Sequence, residues 1–201
     1  PWMQLARTLS PLFEKERNVD ETLKGQSDSL MSRWVTLRQL YLGKDFIPDA
    51  NSTLRFTHGH IRGYQPRDAI VALPFTSLRG LLEKDRGQEP FRVPPRIREV
   101  AEQSHGNSPF LHSGIQDIPV AMLYDLDTTG GNSGSPVLND QGELVGLNFD
   151  RCQEATINDY AWSADFSRSI GVDLRFILWF LKNVYEGQGQ TLLNEMGVPS
   201  T

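Results

Sequence analysis

A mainly β domain with flanking helices, preceded by a helical region, is the architecture this sequence predicts, and three patterns carry the prediction. Residues 52–61 alternate and residues 120–126 form an apolar run, both strand signals. Two short apolar segments, 136–138 and 144–148, are joined by the polar Asn139-Asp140-Gln141-Gly142 and read as a hairpin. Before them, Leu30, Trp34, Leu37 and Tyr41 recur at spacings of three and four, which puts them on one helical face, and the texture changes near Lys44. The expected division is therefore 1–45, helical, and 46–201, mixed with a β core.

Taken in order, residues 12–24 are charged with sparse apolar positions, as in a solvated helix, and 27–42 form a second helical stretch with Gly43 as its stop. In the strand at 52–61, Leu54, Phe56 and His58 share one side while Arg55 and Thr57 share the other. Leu78, Leu81 and Leu82 mark a short helix over 76–84, and Pro94-Pro95 opens another that runs to about Ala101. Residues 104–118, rich in Gly, Ser, Asn, Pro and His, read as a loop. Leu174, Ile177, Leu178 and Leu181 give a helix over 173–184 with Asp173 as its cap and Gly187 at its end, and a short helix near 191–196 follows.

Composition narrows the function classes. The chain has 201 residues, 38% hydrophobic and 22% charged, which is the range of ordinary packed domains. Its 20 basic and 25 acidic residues are scattered, so no basic footprint for nucleic acid is present. The longest apolar runs, such as 176–181, fall far short of a membrane span. The single cysteine, Cys152, excludes an internal disulfide. No export leader is visible at Pro1, and the absence of an initiator Met suits a chain cut from something longer as well as a trimmed one.

The segment with the most chemical content is Gly130-Gly131-Asn132-Ser133-Gly134-Ser135-Pro136, directly before the hairpin. It resembles the nucleophile loop of chymotrypsin-like serine peptidases. Glycines permit the dihedrals that turn the Gly131 and Ser133 amides toward one point, where the oxyanion of a tetrahedral intermediate would sit. Ser133 presents its hydroxyl beside that point and needs a histidine to take its proton. A Gly/Ser/Asn/Pro cluster can equally be a plain turn.

Context decides between these. The chain continues through Val137-Leu138-Asn139 and then Gly142-Glu143-Leu144-Val145-Gly146-Leu147-Asn148-Phe149-Asp150-Arg151. This is similar to the dipeptidyl-peptidase 7/11 family of bacterial serine exopeptidases. Further segments match in the same order: Pro48-Asp49-Ala50-Asn51-Ser52-Thr53-Leu54-Arg55, Gly63-Tyr64-Gln65-Pro66-Arg67-Asp68, Pro74-Phe75-Thr76, Glu83-Lys84-Asp85, Asp125-Leu126-Asp127, Val172-Asp173-Leu174-Arg175 and Leu193-Asn194-Glu195-Met196-Gly197-Val198. The resemblance implies a double β-barrel of chymotrypsin type with an inserted helical domain. This chain would be the end of that domain, the second barrel and the terminal helices.

In the family the catalytic histidine and aspartate lie in the first barrel, far upstream, and nothing here matches that region. His58 and His60 read as ordinary strand residues, and His105 and His112 sit in a polar loop outside any motif. The general base is therefore expected outside this chain. Arg151 falls where chymotrypsin-like folds line the pocket for the side chain before the scissile bond. A guanidinium there binds a carboxylate through its planar fork, and the resemblance implies that arginine at this position goes with cleavage after Asp or Glu. Read without the family, Arg151 is a surface residue paired with Asp150 or Glu154. The resemblance gives Asp150 the role of holding the substrate's α-ammonium; the competing reading is that it orients Arg151. Cys152 has no histidine partner, and Asp125 and Asp127 read as turn formers, since no further residue has ligand spacing.

The sequence thus predicts a serine exopeptidase acting on peptides with a free N-terminus, with Ser133 as nucleophile, Gly131 and Ser133 as oxyanion donors, Asp150 and Arg151 as substrate-binding groups, and no cofactor. Periplasmic or cell-surface location and homodimer formation are expected from the resemblance alone. The rival is a catalytically silent binding or structural domain of the same fold, or an inactive fragment.

Overall fold

The computed structural model describes residues 2–43, 54–104, 108–159, 161–185 and 187–198. It divides into two units, Pro1–Pro48 and Asp49–Thr201. The boundary expected at residues 45 and 46 lies outside the described residues, as does His105.

In the first unit a single helix, α1, runs Trp2–Leu42. It fuses the two helical stretches expected from the pattern. Thr8, Thr22 and Thr36 donate their hydroxyls to the carbonyls of Gln4, Asn18 and Ser32, so these β-branched residues are accommodated inside the helix. Gly43 ends it in the left-handed region at φ 62°, with its amide donating to Gln39. No described residue of α1 is buried.

The second unit is built on a five-stranded antiparallel sheet. Its strands are β3 (Phe75–Ser77), β4 (Pro119–Tyr124), β5 (Pro136–Leu138), β6 (Leu144–Arg151) and β7 (Ser169–Asp173), in the spatial order β3-β4-β7-β6-β5. A separate hairpin pairs β1 (Tyr64–Arg67) with β2 (Ile70–Ala72). Among the described residues the outer strands β3 and β5 do not pair with each other, so the sheet is open. The flanking helices are α2 (Leu78–Glu83), α3 (Pro95–Ser104), α4 (Leu174–Asn183) and α5 (Gln188–Glu195). The hairpin, α3, α4 and its Asp173 cap lie where the sequence places them; the Asp173 carboxylate accepts from the Arg175 amide.

Several expectations need correction. The helix expected over 76–84 begins later, because Thr76 and Ser77 belong to β3 and Ser77 caps α2 by accepting from the Gly80 amide. The strand expected over 52–61 reduces, among its described residues, to one bridge between Ile61 and Tyr124. The cause is local competition for the backbone: the His60 amide donates to the Asp125 carboxylate instead of a neighbouring strand. His58 and His60 are exposed and lie outside any strand.

Two apolar clusters hold the second unit. On one side Leu78, Ile97, Val100, Ala101, Ile118 and Trp179 join α2, α3 and α4 to the start of β4. On the other, Met122, Tyr124 and Val137 pack with Phe75, Leu126 and Val145. Gly146 leaves room for the Met122 side chain and the β7 backbone, since a Cβ there would stand 2.1 Å from Met122 Cε and 2.5 Å from the Val172 carbonyl oxygen. Trp179 is fully buried, and truncation to alanine removes the hub of the larger cluster. Trp179→Ala is expected to lower the unfolding free energy by about 3–5 kcal/mol, read from denaturant titration; a change within about 0.5 kcal/mol would show that this cluster does not carry the unit.

Candidate active site

The turn that leads into β5 is shaped by two glycines in the positive-φ region, Gly131 at 94° and Gly134 at 83°, conformations that side chains other than glycine adopt at a cost. Between them the backbone closes on itself: the Asn132 amide donates to Thr129 O and the Ser135 amide to Asn132 O. The turn is also stitched to β6, with Gly134 N donating to Asn148 O at 2.7 Å and Asn148 N to Ser135 O at 2.9 Å. Ser133 is exposed at the apex. Its hydroxyl makes a long contact of 3.4 Å to the Phe149 carbonyl, weaker than an ordinary hydroxyl hydrogen bond. Among the described residues neither the Gly131 nor the Ser133 amide donates a hydrogen bond. Both N–H groups are therefore open to an outside acceptor.

β6 carries the other expected residues to the same place. Its register against β7 shifts between Asn148 and Asp150, leaving Phe149 as a bulge. A concavity of about 140 Å³ opens there, lined by Thr128, Thr129, Gly130, Ser133, Asn148, Phe149, Asp150 and Arg151. The predicted nucleophile and both predicted substrate-binding residues therefore meet at one cavity. The Asp150 carboxylate accepts from the Arg151 backbone amide at 2.7 Å. Glu154, the other partner considered for Arg151, accepts from the Tyr64 hydroxyl at 2.7 Å.

Behind the cavity lies a network that sequence reasoning missed. Tyr124 is buried and its phenol donates to Asn148 Oδ1 at 2.6 Å, while Asn148 Nδ2 donates to Asn132 O at 3.2 Å. Gly171 makes room for the phenol, because a Cβ there would lie 2.8 Å from its oxygen. Burial raises the Tyr124 pKa above that of an ordinary phenol, which keeps it a neutral donor. Asn132 Oδ1 also accepts from the Thr129 amide at 3.0 Å and from Arg55 Nη1 at 3.1 Å. Arg55, Tyr124 and Asn148 are far apart in sequence, so no local pattern marks this network.

The segment after Arg151 is held independently. Cys152 N donates to Arg168 O, and the nearly fully buried Arg168 side chain donates to the carbonyls of Gly63, Ala164 and Ser167. Burial lowers the Arg168 pKa, since desolvation penalises the cation. Tyr64 is shifted upward, first by burial and then by its hydrogen bond to Glu154, and the same bond lowers Glu154. Cys152 is buried with its thiol directed to Phe166 O, an inert setting.

The remaining candidates fall elsewhere. His112 packs against Phe75 with ring centroids 4.6 Å apart, and its Nδ1 accepts from the Gly114 amide. None of the described histidines lines the cavity or hydrogen-bonds Ser133. Asp125 accepts from His60 N and pairs with Arg62, and Asp127 pairs with Arg55 at 3.7 Å, so both tie the 55–62 segment to the end of β4. Among the described residues no His, Cys, Asp or Glu group could hold a metal, and no helix is long and apolar enough to cross a membrane.

Comparison with known proteins supplies the context. A family described as Peptidase S46 matches residues 1–198. An Asp/Glu-specific dipeptidyl-peptidase of Shewanella putrefaciens is 40% identical over 207 residues, covering 92% of this chain and 28% of the relative. Dipeptidyl-peptidase 7 of Phocaeicola vulgatus is 34% identical over 201 residues, covering 98% of this chain and 27% of the relative. The crystal structure of Porphyromonas endodontalis DPP11 in complex with the dipeptide Arg-Glu superposes with a TM-score of 0.69 at 38% identity, covering 76% of this chain and 21% of that one. The chain thus spans about a quarter of the length of these relatives.

Proposed function

This chain belongs to the peptidase S46 family, and on that premise we propose that it is the nucleophile-bearing part of a serine dipeptidyl-peptidase that prefers Asp or Glu before the scissile bond. The observation that carries the proposal is the convergence of Ser133, Asp150 and Arg151 on one concavity beside the undonated Gly131 and Ser133 amides.

In this reading Ser133 Oγ attacks the carbonyl carbon of the peptide's second residue while a histidine takes its proton, and the carbonyl oxygen becomes an oxyanion held by the two amides. Collapse of the intermediate breaks the C–N bond, the histidine proton passes to the leaving amine, and water then hydrolyses the acyl-enzyme to free the dipeptide. Arg151 binds the acidic side chain before the cut through its planar fork. Asp150 meets the free α-ammonium, which limits the cut to the second peptide bond. The histidine and its aspartate belong, in this proposal, to a part of a longer protein beyond this chain, and α1 is the end of an inserted helical domain. The family resemblance extends the proposal to a homodimer working in the periplasm or at the cell surface.

The test is product analysis by mass spectrometry on the complete enzyme, with peptides carrying Asp at the second position. Stepwise loss of the N-terminal dipeptide is expected. Acetylation of the N-terminus should lower kcat/KM at least about a hundredfold, because Asp150 then faces no cation. Internal cleavage indifferent to acetylation would remove the exopeptidase reading, and no cleavage at all would favour a catalytically silent domain.

A further inference from the structure

Arg55 lies 77 residues before Asn132 in sequence and reaches its side chain across the fold, with Nη1 donating to Asn132 Oδ1 at 3.1 Å. The Arg55 side chain is only 10% exposed, and its Nη2 stands 3.7 Å from Asp127 at the other end of the turn-rich segment. It therefore spans both ends of the stretch that presents Ser133.

Asn132 sits between the two proposed oxyanion donors. Because the peptide bond is planar and trans, its carbonyl and the Ser133 N–H point in opposite directions. Asn132 O accepts from Ser135 N and Asn148 Nδ2, so the Ser133 N–H is directed the other way, away from the stitched turn. The Asn132 side chain is anchored as well as its carbonyl, since its Oδ1 accepts from Thr129 N and Arg55 Nη1. Of these contacts, Arg55 is the one that comes from outside residues 129–148. Arg55 Nε is buried without an acceptor among the described residues.

We propose that Arg55 is a positioning residue for catalysis, acting through Asn132 to hold the Ser133 amide and hydroxyl in the geometry that receives the oxyanion. This rests on the serine-peptidase reading above. Arg55 touches no substrate; its effect falls on the chemical step, where a displacement of about 1 Å costs about a hundredfold.

The experiment compares Arg55→Met, Arg55→Lys and wild type in the complete enzyme, on dipeptidyl fluorogenic substrates with Asp, Glu or a hydrophobic residue before the bond. Arg55→Met is expected to lower kcat about thirty- to a hundredfold with KM changed less than about threefold and the acidic-to-hydrophobic ratio unchanged. Arg55→Lys restores part of kcat, because a point charge reaches Asn132 without the fork. In an Asn132→Ala background, Arg55→Met should add less than about a threefold loss, since the route through Asn132 is already gone. Should Arg55→Met not fold, the lysine variant decides the matter, alone and in the Asn132→Ala background: a lysine variant with wild-type kcat overturns the inference. So does a folded Arg55→Met enzyme that keeps its kcat, or loses activity through KM or through the acidic-to-hydrophobic ratio. A wild-type enzyme that releases no dipeptides overturns the serine-peptidase reading and this inference with it, whereas an active wild type beside an unaffected Arg55→Met overturns the inference alone.

Discussion

Ser133→Ala in the complete enzyme is expected to lower kcat by about 10⁵- to 10⁶-fold while leaving peptide binding within about threefold, measured by steady-state kinetics and by titration with a non-cleavable dipeptide. The size of the effect follows from cooperation: once the attacking oxygen is gone, the base and oxyanion donors retain only a small share of the rate enhancement. Binding is spared because, among the described residues, the hydroxyl makes one long contact, to Phe149 O at 3.4 Å, and no other. An alanine variant within tenfold of wild type would mean that some other group attacks. The buried Cys152, with its thiol turned to Phe166 O, is badly placed to be that group.

Arg151→Gly is expected to cut kcat/KM for Asp and Glu substrates at least about a hundredfold, since leaving a desolvated charge without its partner costs about 3 kcal/mol or more. Hydrophobic substrates should be spared or improved, because a guanidinium facing an apolar side chain is itself unfavourable and glycine opens space. Arg151→Lys should recover part of the acidic preference. Kinetics on matched acidic and hydrophobic dipeptidyl substrates separate this from a structural role: equal losses on both would make Arg151 a support of the β6 bulge and withdraw the specificity assignment. The backbone at Arg151 is held on either side by the Asp150 carboxylate and by the Arg168 carbonyl at Cys152, which is why a side-chain effect is expected to appear cleanly.

Elements with an apolar period were readable in the sequence. The β5–β6 hairpin and α4 fall where Val137, Leu144, Ile177 and Leu181 place them. Strand β7 was not read from the sequence, because its alternation is only two apolar residues long, Ile170 and Val172, and the positions it buries most are Ser169, Gly171 and Asp173, the reverse of a hydrophobic-in pattern. Residues 52–61 gave the opposite error: the alternation is present, but the Asp125 carboxylate takes a backbone amide that a ladder would need. The Gly131-Asn132-Ser133-Gly134 turn was legible because its glycines must occupy positive φ. Arg55 and the Tyr124–Asn148 pair were not, since contacts spanning 77 and 24 residues leave no local pattern.

The identity of the attacking residue is tested most directly by covalent labelling of the complete enzyme with a dipeptidyl fluorophosphonate carrying an acidic residue next to phosphorus, followed by peptide mass mapping. The expected result is a single adduct on Ser133 that accumulates in step with loss of activity. Inactivation with Ser133 unmodified, or with the adduct on a different residue, would contradict the assignment.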